Sequence, residues 1–303
     1  MRALVTGSNG FVGRWLVAHL ESQGDEVTGL DAEVDVTDAA AIASAVVAAA
    51  PEVIFHLAAQ ASVGASWEDQ AATYTVNTIG AVNVLVAAAQ CSHPPRVLLV
   101  SSSEVYGRVD GSDLPITEDQ PFAPVSPYAA SKAAAEIAAL QAWLGRGVEV
   151  VRARPFNHTG PGQRTEFVVP ALARQVAEAA RAGAPALYTG NLEARRDISD
   201  VRDVVRAYRA LALSGEAGDA YNVCSGVAVS IRDVAERLLR IAGVDIPIVV
   251  DPERVRPVDL PELRGDPSKL RSATGWSPEV DLDETLADVL AYWKRPAAEA
   301  AGR

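Results

Sequence analysis

The first half of the chain alternates short, nearly all-apolar segments with longer alanine-rich segments. The runs ALVTG, VIFHLA and VLLVSS have the composition of strands that are covered on both faces of a sheet. The alanine-rich runs keep a helical period, and alanine is the strongest helix former. Strands separated by helices form βαβ units, which build parallel sheets. We therefore predict an α/β fold: a Rossmann-type doubly wound parallel sheet with a smaller C-terminal α/β substrate lobe.

The predicted elements divide the chain near Pro155, after which the strand–helix rhythm loosens. The predicted strands of the first part are Arg2–Thr6, Glu26–Leu30, Glu52–His56, Arg96–Ser101 and Val148–Arg152. Its predicted helices are Phe11–Gln23, Asp38–Ala50, Glu68–Gln90 and Tyr128–Leu144. The predicted helices of the second part are Val168–Ala182, Val201–Leu213, Ile231–Ala242 and Leu282–Trp293. We predict a dinucleotide-binding domain at residues 1–155 and a second lobe, interleaved with it, at residues 156–303.

Composition narrows the class of protein. The 303 residues are 49% apolar, enough for a sizeable core, and the net charge of −12 argues against nucleic acid as the main partner. No run approaches the roughly 18 apolar residues of a membrane span, and the chain enters a strand at once, so we expect neither a span nor a signal peptide. Cys91 and Cys224 lie far apart without metal-ligand spacing. We expect packing cysteines, no metal and a cytoplasmic location.

A glycine-rich turn follows the first predicted strand. In LVTGSNGFVGRWL, Gly7 permits a tight turn, Gly10 lets the backbone approach a pyrophosphate, and Gly13 lets the helix pack closely on the strand. The helix N-terminus then faces the negative charge. An ordinary turn is the alternative, but the strand–turn–helix context favours dinucleotide binding.

A tyrosine and a lysine stand four residues apart at the start of a predicted helix. Ser126 and Pro127 suit the N-cap and the first turn, and Tyr128 and Lys132 then share one helix face. A nearby ammonium is expected to lower the pKa of a phenol from about 10. Such a tyrosine can exchange a proton near neutral pH, although the same spacing also occurs in ordinary surface pairs.

Several motifs together resemble the extended short-chain dehydrogenase/reductase family. They are the GxxGxxG turn, SSEVYG, YAASK, RPFNHTGPGQ, GNLEARRD and YNVCSG, which span nearly the whole chain. Within that family, the chain resembles most the GDP-4-keto-6-deoxy-D-mannose reductases. The resemblance implies an NAD(P)H-dependent reduction of the 4-keto sugar to GDP-D-rhamnose.

The resemblance also implies roles for individual residues. The catalytic residues would be Ser102, Tyr128 and Lys132. The cofactor would be bound by Gly7, Asn9, Gly10, Phe11, Val12, Gly13, Asp31, Asp35, Val36, Leu57, Ala58, Ala59, Asn77, Val100, Tyr128, Lys132, Pro155 and His158. The GDP-linked substrate would be bound by Ser102, Ser103, Glu104, Asn157, Val168, Arg196, Arg256 and Asp259. For His56 we expect a core position.

The end of the second predicted strand indicates whether the cofactor is NAD(H) or NADP(H). Asp31 stands where an acid accepts hydrogen bonds from the adenosine ribose hydroxyls. No arginine or lysine occurs between Asp25 and Ala50, so nothing there is placed to receive a 2′-phosphate. This favours NAD(H), with NADP(H) as the other possibility.

Glu104 leaves a second reaction class open. GDP-mannose 4,6-dehydratases use a glutamate at this point as a base, and the Ser-Ser-Glu of this chain resembles their Thr-Ser-Glu. Against a dehydratase, the loop after His158 reads TGPGQ, and the stretch after the second strand lacks a basic segment. A 4-epimerase and a non-catalytic cofactor sensor are further alternatives. The resemblance also implies a homodimer, in which helices 68–90 and 128–144 form a four-helix bundle.

Overall fold

A parallel sheet of six strands forms the centre of the protein in the computed structural model, which describes residues 1–254 and 260–295. Its strands are β1 (Arg2–Thr6), β2 (Glu26–Leu30), β3 (Val53–His56), β4 (Arg96–Val100), β5 (Val150–Pro155) and β9 (Ala220–Val223), in the order β2-β1-β3-β4-β5-β9. The remaining strands are β6 (Asn157–Thr159), β7 (Leu187–Thr189), β8 (Arg195–Asp200), β10 (Ala228–Ser230), β11 (Ile248–Val250) and β12 (Glu262–Leu263). The parallel sheet confirms the predicted α/β class.

Helices cover both faces of this sheet. The α-helices of the described residues are α1 (Phe11–Ser22), α2 (Ala39–Ala49), α3 (Val63–Glu68), α4 (Gln70–Tyr74), α5 (Gly80–Gln90), α6 (Pro127–Arg146), α7 (Val168–Ala182), α8 (Val201–Ser214), α9 (Ile231–Ala242), α10 (Ser268–Thr274) and α11 (Leu282–Lys294). Helices α1 and α8 pack on one face, where Leu16 and Val204 meet Val5 and Phe55. Helices α2, α5 and α6 pack on the other. Five of the six strands are largely buried, which explains their apolar sequences, whereas the edge strand β2 is mostly exposed.

The second part of the chain contributes a strand and a helix to the central sheet and its covering layer, and it also forms a lobe of its own. Strand β9 is the sixth strand of the central sheet and pairs with β5, and α8 packs against α1. The rest forms a small sheet, β10-β8-β12 with β6 beside β8, and a helix cluster of α7, α9 and α11. Sequence analysis gave no range for β9, because its four residues are too few to show a clear alternating pattern. The division at residue 155 stays a prediction.

The predicted helix at 68–90 is interrupted in the structure. Helices α4 and α5 are joined by a π-helical turn at Thr75–Ile79, which places Asn77 toward the protein interior. Within the described residues, Gln70–Gln90 is the one helical stretch long and apolar enough to cross a membrane by length and composition. Its inner side packs against α2 and α6, as in the core helix of an α/β domain.

Candidate active site

A cleft of about 1020 Å³ lies at the carboxyl ends of the central strands. Ligands of open α/β sheets bind at this edge, where neighbouring loops diverge. The cleft is lined by the predicted cofactor residues Gly7, Asn9, Gly10, Phe11, Val12, Gly13, Asp31, Asp35, Val36, Leu57, Ala58, Ala59, Val100, Tyr128, Lys132, Pro155 and His158. The structure thus brings together residues from six separate segments of the sequence.

The glycine turn is shaped as the sequence predicts. Gly7 has φ of +72°, a left-handed conformation, and a Cβ there would stand 3.0 Å from the backbone of Ala58. A Cβ on Gly13 would stand 2.7 Å from the carbonyl oxygen of Ser8, so only glycine allows α1 to pack against the turn. At the end of β2, the carboxylate of Asp31 accepts a 2.6 Å hydrogen bond from the backbone N–H of Asn9. The acid is therefore fixed beside the turn, at the end of β2.

The predicted catalytic residues meet at the other end of the cleft. Ser126 caps α6 by accepting from the N–H of Ala129 at 3.1 Å, which starts the helix beside Tyr128. The Nζ of Lys132 donates to the carbonyl oxygen of Val100 at 2.9 Å, which ties α6 to the end of β4. Ser102, two residues beyond Val100, accepts a 3.2 Å bond from the N–H of Glu104.

Burial shifts the pKa values of both Tyr128 and Lys132. It raises the pKa of Tyr128 to about 12, an effect that the Ser102 hydroxyl lessens and the Glu104 carboxylate adds to. It lowers the pKa of Lys132 to about 8, against the opposing field of Glu136. The expectation that Lys132 lowers the pKa of Tyr128 is wrong, because desolvation of the phenol prevails and the ammonium is directed to Val100 instead. Tyr128 is therefore a protonated phenol at neutral pH, ready to donate.

A buried polar network lies behind the catalytic residues. Glu136, one helical turn after Lys132, is 0% exposed and receives three hydrogen bonds of 2.8–3.1 Å from the Arg154 guanidinium. Arg154 also donates to the Tyr106 hydroxyl at 2.9 Å, which in turn donates to Asn222 at 2.6 Å. The network links α6, β5, β9 and the turn after Ser102. Sequence analysis missed it, although a glutamate on the inner face of α6 and an arginine inside a strand were visible signals.

A second cavity of about 300 Å³ adjoins the cleft. It is lined by the predicted substrate residues Glu104, Asn157, Val168 and Arg196. Glu104 lines both spaces, while Ser103 lines the larger cleft. The guanidinium of Arg196 donates to the carbonyl oxygen of Leu260 at 2.8 Å, which fixes its stem at the cavity wall. The predicted Arg256 and Asp259 lie outside the described residues.

Other arginines of the second lobe form ion pairs. Arg195 and Arg264 both pair with Glu262, and Arg202 pairs with Asp200 at 2.8 Å. These ion pairs give the three arginines a structural role in the second lobe.

Asn77, predicted to bind the cofactor, and His56, expected in the core, both lie away from the cleft surface. Asn77 is 2% exposed, and its amide bonds to the backbone of Gln60 and, at 2.9 Å, to the Ser131 hydroxyl. It therefore supports the floor of the cleft from behind. His56 is buried, bonds to Thr6 at 2.8 Å, and burial lowers its pKa to about 3. It is a neutral core histidine, as expected.

Ser101 and Tyr208 also contribute to the wall of the cleft. Both side chains are buried, and their hydroxyl oxygens are closed off from solvent and have no hydrogen-bond partner within residues 1–254 and 260–295.

Fold and site together define an α/β oxidoreductase that binds a dinucleotide. The chain belongs to the extended short-chain dehydrogenase/reductases, and a family model described as GDP-mannose 4,6 dehydratase matches its residues 32–289. Among the most similar relatives is the GDP-6-deoxy-D-mannose reductase of Pseudomonas aeruginosa, which is 38% identical over 98% of this chain and 99% of its own length.

Solved structures support the assignment of the chain to this family. The structure of RMD from Pseudomonas aeruginosa complexed with NADPH has a TM-score of 0.90 and 37% identity, over 97% of this chain and 99% of that one. The UDP-glucose 4-epimerase of Thermus thermophilus complexed with NAD has a TM-score of 0.87 and 32% identity, over 97% and 99% of the two chains. The predicted family and the predicted Rossmann-type fold are confirmed.

Proposed function

We propose that this protein reduces the 4-keto group of GDP-4-keto-6-deoxy-D-mannose to give GDP-D-rhamnose, with a nicotinamide nucleotide as the reductant. The observation that carries the proposal is the Tyr128 side chain in the wall of the cofactor cleft, next to Ser102 and Lys132, in a cleft that shares Glu104, Asn157 and His158 with the second cavity. A carbonyl reduction needs a proton donor at this place, and the phenol of Tyr128 provides one. The near full-length similarity to a GDP-6-deoxy-D-mannose reductase supports the same direction.

Each residue has a defined task in this reaction. The bound nicotinamide supplies hydride to the C4 carbon. The Tyr128 hydroxyl gives its proton to the oxygen at C4, where negative charge develops. The Ser102 hydroxyl donates to the same oxygen and holds it in reach of Tyr128. Lys132, anchored on Val100, lines the cleft beside Tyr128 and would bind the ribose of the nicotinamide. Asn157 and Arg196 line the cavity in which the substrate diphosphate would lie.

Asp31 is expected to make NADH the better donor. Its carboxylate is held on the N–H of Asn9, and its negative charge would repel the 2′-phosphate of NADPH. Comparison of kcat/KM for the two donors tests this, with Asp31→Asn as the variant in which the preference should weaken. A strong preference of the wild type for NADPH would contradict it and would assign the phosphate to another cleft residue, such as Arg14.

The dehydratase alternative depends on Glu104, because removal of the C5 proton requires a base. In the proposed reductase, Glu104→Gln should lower 4-keto reductase activity by less than about tenfold, against the roughly 10²–10⁴-fold loss of a proton-transferring group. Steady-state reduction assays of the variant measure this. If the wild type instead dehydrates GDP-mannose and Glu104→Gln abolishes that activity, the lyase assignment is correct.

We propose a homodimer formed through α4–α5 and α6. Apolar side chains stand exposed on these helices: Ile137 is 61% exposed, Leu144 is 74% exposed and Ile79 is 48% exposed. Small alanine side chains between them allow close helix approach, as in helical bundles.

Light scattering at micromolar concentration should give a dimer mass for the wild type. Ile137→Glu should give a monomer, because the charge would be buried in the seam. Leu213→Glu, at a 53% exposed position on α8, is the matched control and should leave the mass unchanged. A monomeric wild type would contradict the proposal.

A further inference from the structure

Asp197 is a buried carboxylate that ties three segments of the chain together. It lies in β8 and is 0% exposed. One carboxylate oxygen accepts from the backbone N–H of Ser225 at 2.8 Å and from the Ser225 hydroxyl at 2.6 Å. The other accepts from the backbone N–H groups of Gly226 at 2.9 Å and Gly265 at 3.4 Å. A buried charge is unfavourable unless it is hydrogen-bonded, so these bonds hold the three segments at one point.

The three segments belong to the joint between the second lobe and the central sheet. Ser225 and Gly226 lie in the loop between β9, the sixth strand of the central sheet, and β10. Gly265 lies just after β12. Strands β10 and β12 are the two neighbours of β8 in the small sheet. The Asp197 carboxylate therefore fixes β8 between its neighbours and fastens this sheet to the central one.

The residue before Asp197 is the arginine of the second cavity. Alternate residues at this strand, Ala194, Arg196 and Ile198, line that cavity. Successive side chains of a strand point to opposite faces, so Asp197 points away from the cavity. In the sheet, Arg196 is paired with Val229 of β10 and with Leu263 of β12. A shift of either neighbouring strand would therefore move Arg196.

We propose that Asp197 is a positioning residue, which holds Arg196 where its guanidinium can meet the diphosphate of the substrate; this inference rests on the proposed GDP-linked substrate. Asp197 itself does not touch the ligand and acts through β8. A residue that only stabilised the fold would not influence how tightly the second cavity binds a diphosphate. Ligand affinity therefore distinguishes the two roles.

The test measures binding of GDP by titration calorimetry. Asp197→Asn keeps the size of the side chain but turns an amide N–H₂ group toward N–H donors. GDP affinity should fall by about tenfold, the effect of one charged hydrogen bond from a displaced Arg196. Affinity for the coenzyme should change little. In steady-state assays, KM for the GDP-linked sugar should rise with the dissociation constant of GDP, while KM for the coenzyme stays.

A milder variant serves if Asp197→Asn fails to fold. Ser225→Ala removes the hydroxyl that donates to Asp197 at 2.6 Å and leaves the backbone donors in place. It should weaken GDP binding in the same direction and by less.

A double substitution tests whether Asp197 acts through Arg196. Arg196→Gln alone should lower GDP affinity, because it removes the guanidinium. In that background, Asp197→Asn should lower it by less than about twofold further, since no guanidinium is left to position.

Asp203→Asn is the matched control. Asp203 is 1% exposed, lies in α8, and its carboxylate accepts from the backbone N–H groups of Glu279 and Val280 at 3.0 Å each. This variant should lower the melting temperature and keep the GDP affinity of the wild type.

Unchanged GDP affinity in Asp197→Asn, or in Ser225→Ala if that variant has to replace it, would mean that Asp197 only stabilises the fold. The inference would also be overturned by an equal effect of Asp197→Asn with and without Arg196, by an equal loss of GDP and coenzyme affinity, or by normal GDP binding in Arg196→Gln. A wild type that binds no GDP would overturn the proposed function itself, a failure distinct from the others.

Discussion

Tyr128→Phe is expected to lower turnover by roughly 10²–10⁴-fold, the usual cost of a lost general acid. The substitution removes only the hydroxyl, and that hydroxyl is the donor to the oxygen at C4. The phenyl ring keeps its place at the start of α6, so coenzyme affinity should change little. The expected pattern is a large fall in kcat with an almost unaltered dissociation constant for the coenzyme, measured by steady-state kinetics and by calorimetry.

A matched variant separates this effect from any general loss. Tyr292→Phe removes a hydroxyl from α11, which packs in the second lobe away from the cleft, and should leave turnover unchanged. Near-normal turnover in Tyr128→Phe would exclude Tyr128 from proton transfer and would leave the reaction without its donor.

Arg154→Met is expected to be the most destabilising of the proposed single changes. Glu136 is 0% exposed and holds its charge against the guanidinium of Arg154, at 2.8 Å. Removing the arginine leaves a buried carboxylate with only Arg152 at 3.5 Å, and breaking such a pair costs about 3–5 kcal/mol. The free energy of unfolding, from urea denaturation, measures the loss.

An exposed pair provides the control for this prediction. Arg232 and Glu193 meet at 2.8 Å, but their side chains are 46% and 76% exposed. Arg232→Met should therefore lower the free energy of unfolding far less than Arg154→Met does. If Arg154→Met lowered the free energy of unfolding no more than this control does, the buried pair of Glu136 and Arg154 would not stabilise the fold as predicted. Adding Glu136→Gln to Arg154→Met should recover part of the loss, because the unpaired charge is then gone.

Local sequence patterns predicted most of the fold and much of the site. The strand β1 and the helices α7 and α9 begin and end where predicted, since apolar periodicity, caps and glycines act within a few residues. The residues predicted to bind the cofactor came from the family resemblance, which rests on short motifs such as the glycine turn and the YxxxK spacing, and nearly all of them line the cleft. Only Asn77 among them lies off the cleft surface, where it supports the floor from behind.

Features that depend on distant residues were not predicted. The Glu136–Arg154 pair joins residues 18 apart on two elements, and Tyr106 meets Asn222 across 116 positions. Tyr208 has the pattern of an ordinary apolar position of α8, and only the packing shows that it contributes to the cleft wall. The raised pKa of Tyr128 also follows from burial, which the Tyr–Lys spacing does not reveal.

The most direct test of the central claim is to give the wild-type protein both candidate substrates. One reaction contains GDP-4-keto-6-deoxy-D-mannose with NADH or NADPH, and the other contains GDP-mannose with the oxidised cofactor. Cofactor absorbance and chromatography of the sugar nucleotides follow both. The account predicts stoichiometric cofactor oxidation with formation of GDP-D-rhamnose in the first reaction, and no 4-keto product in the second. Conversion of GDP-mannose to the 4-keto sugar, with no reduction in the first reaction, would contradict it.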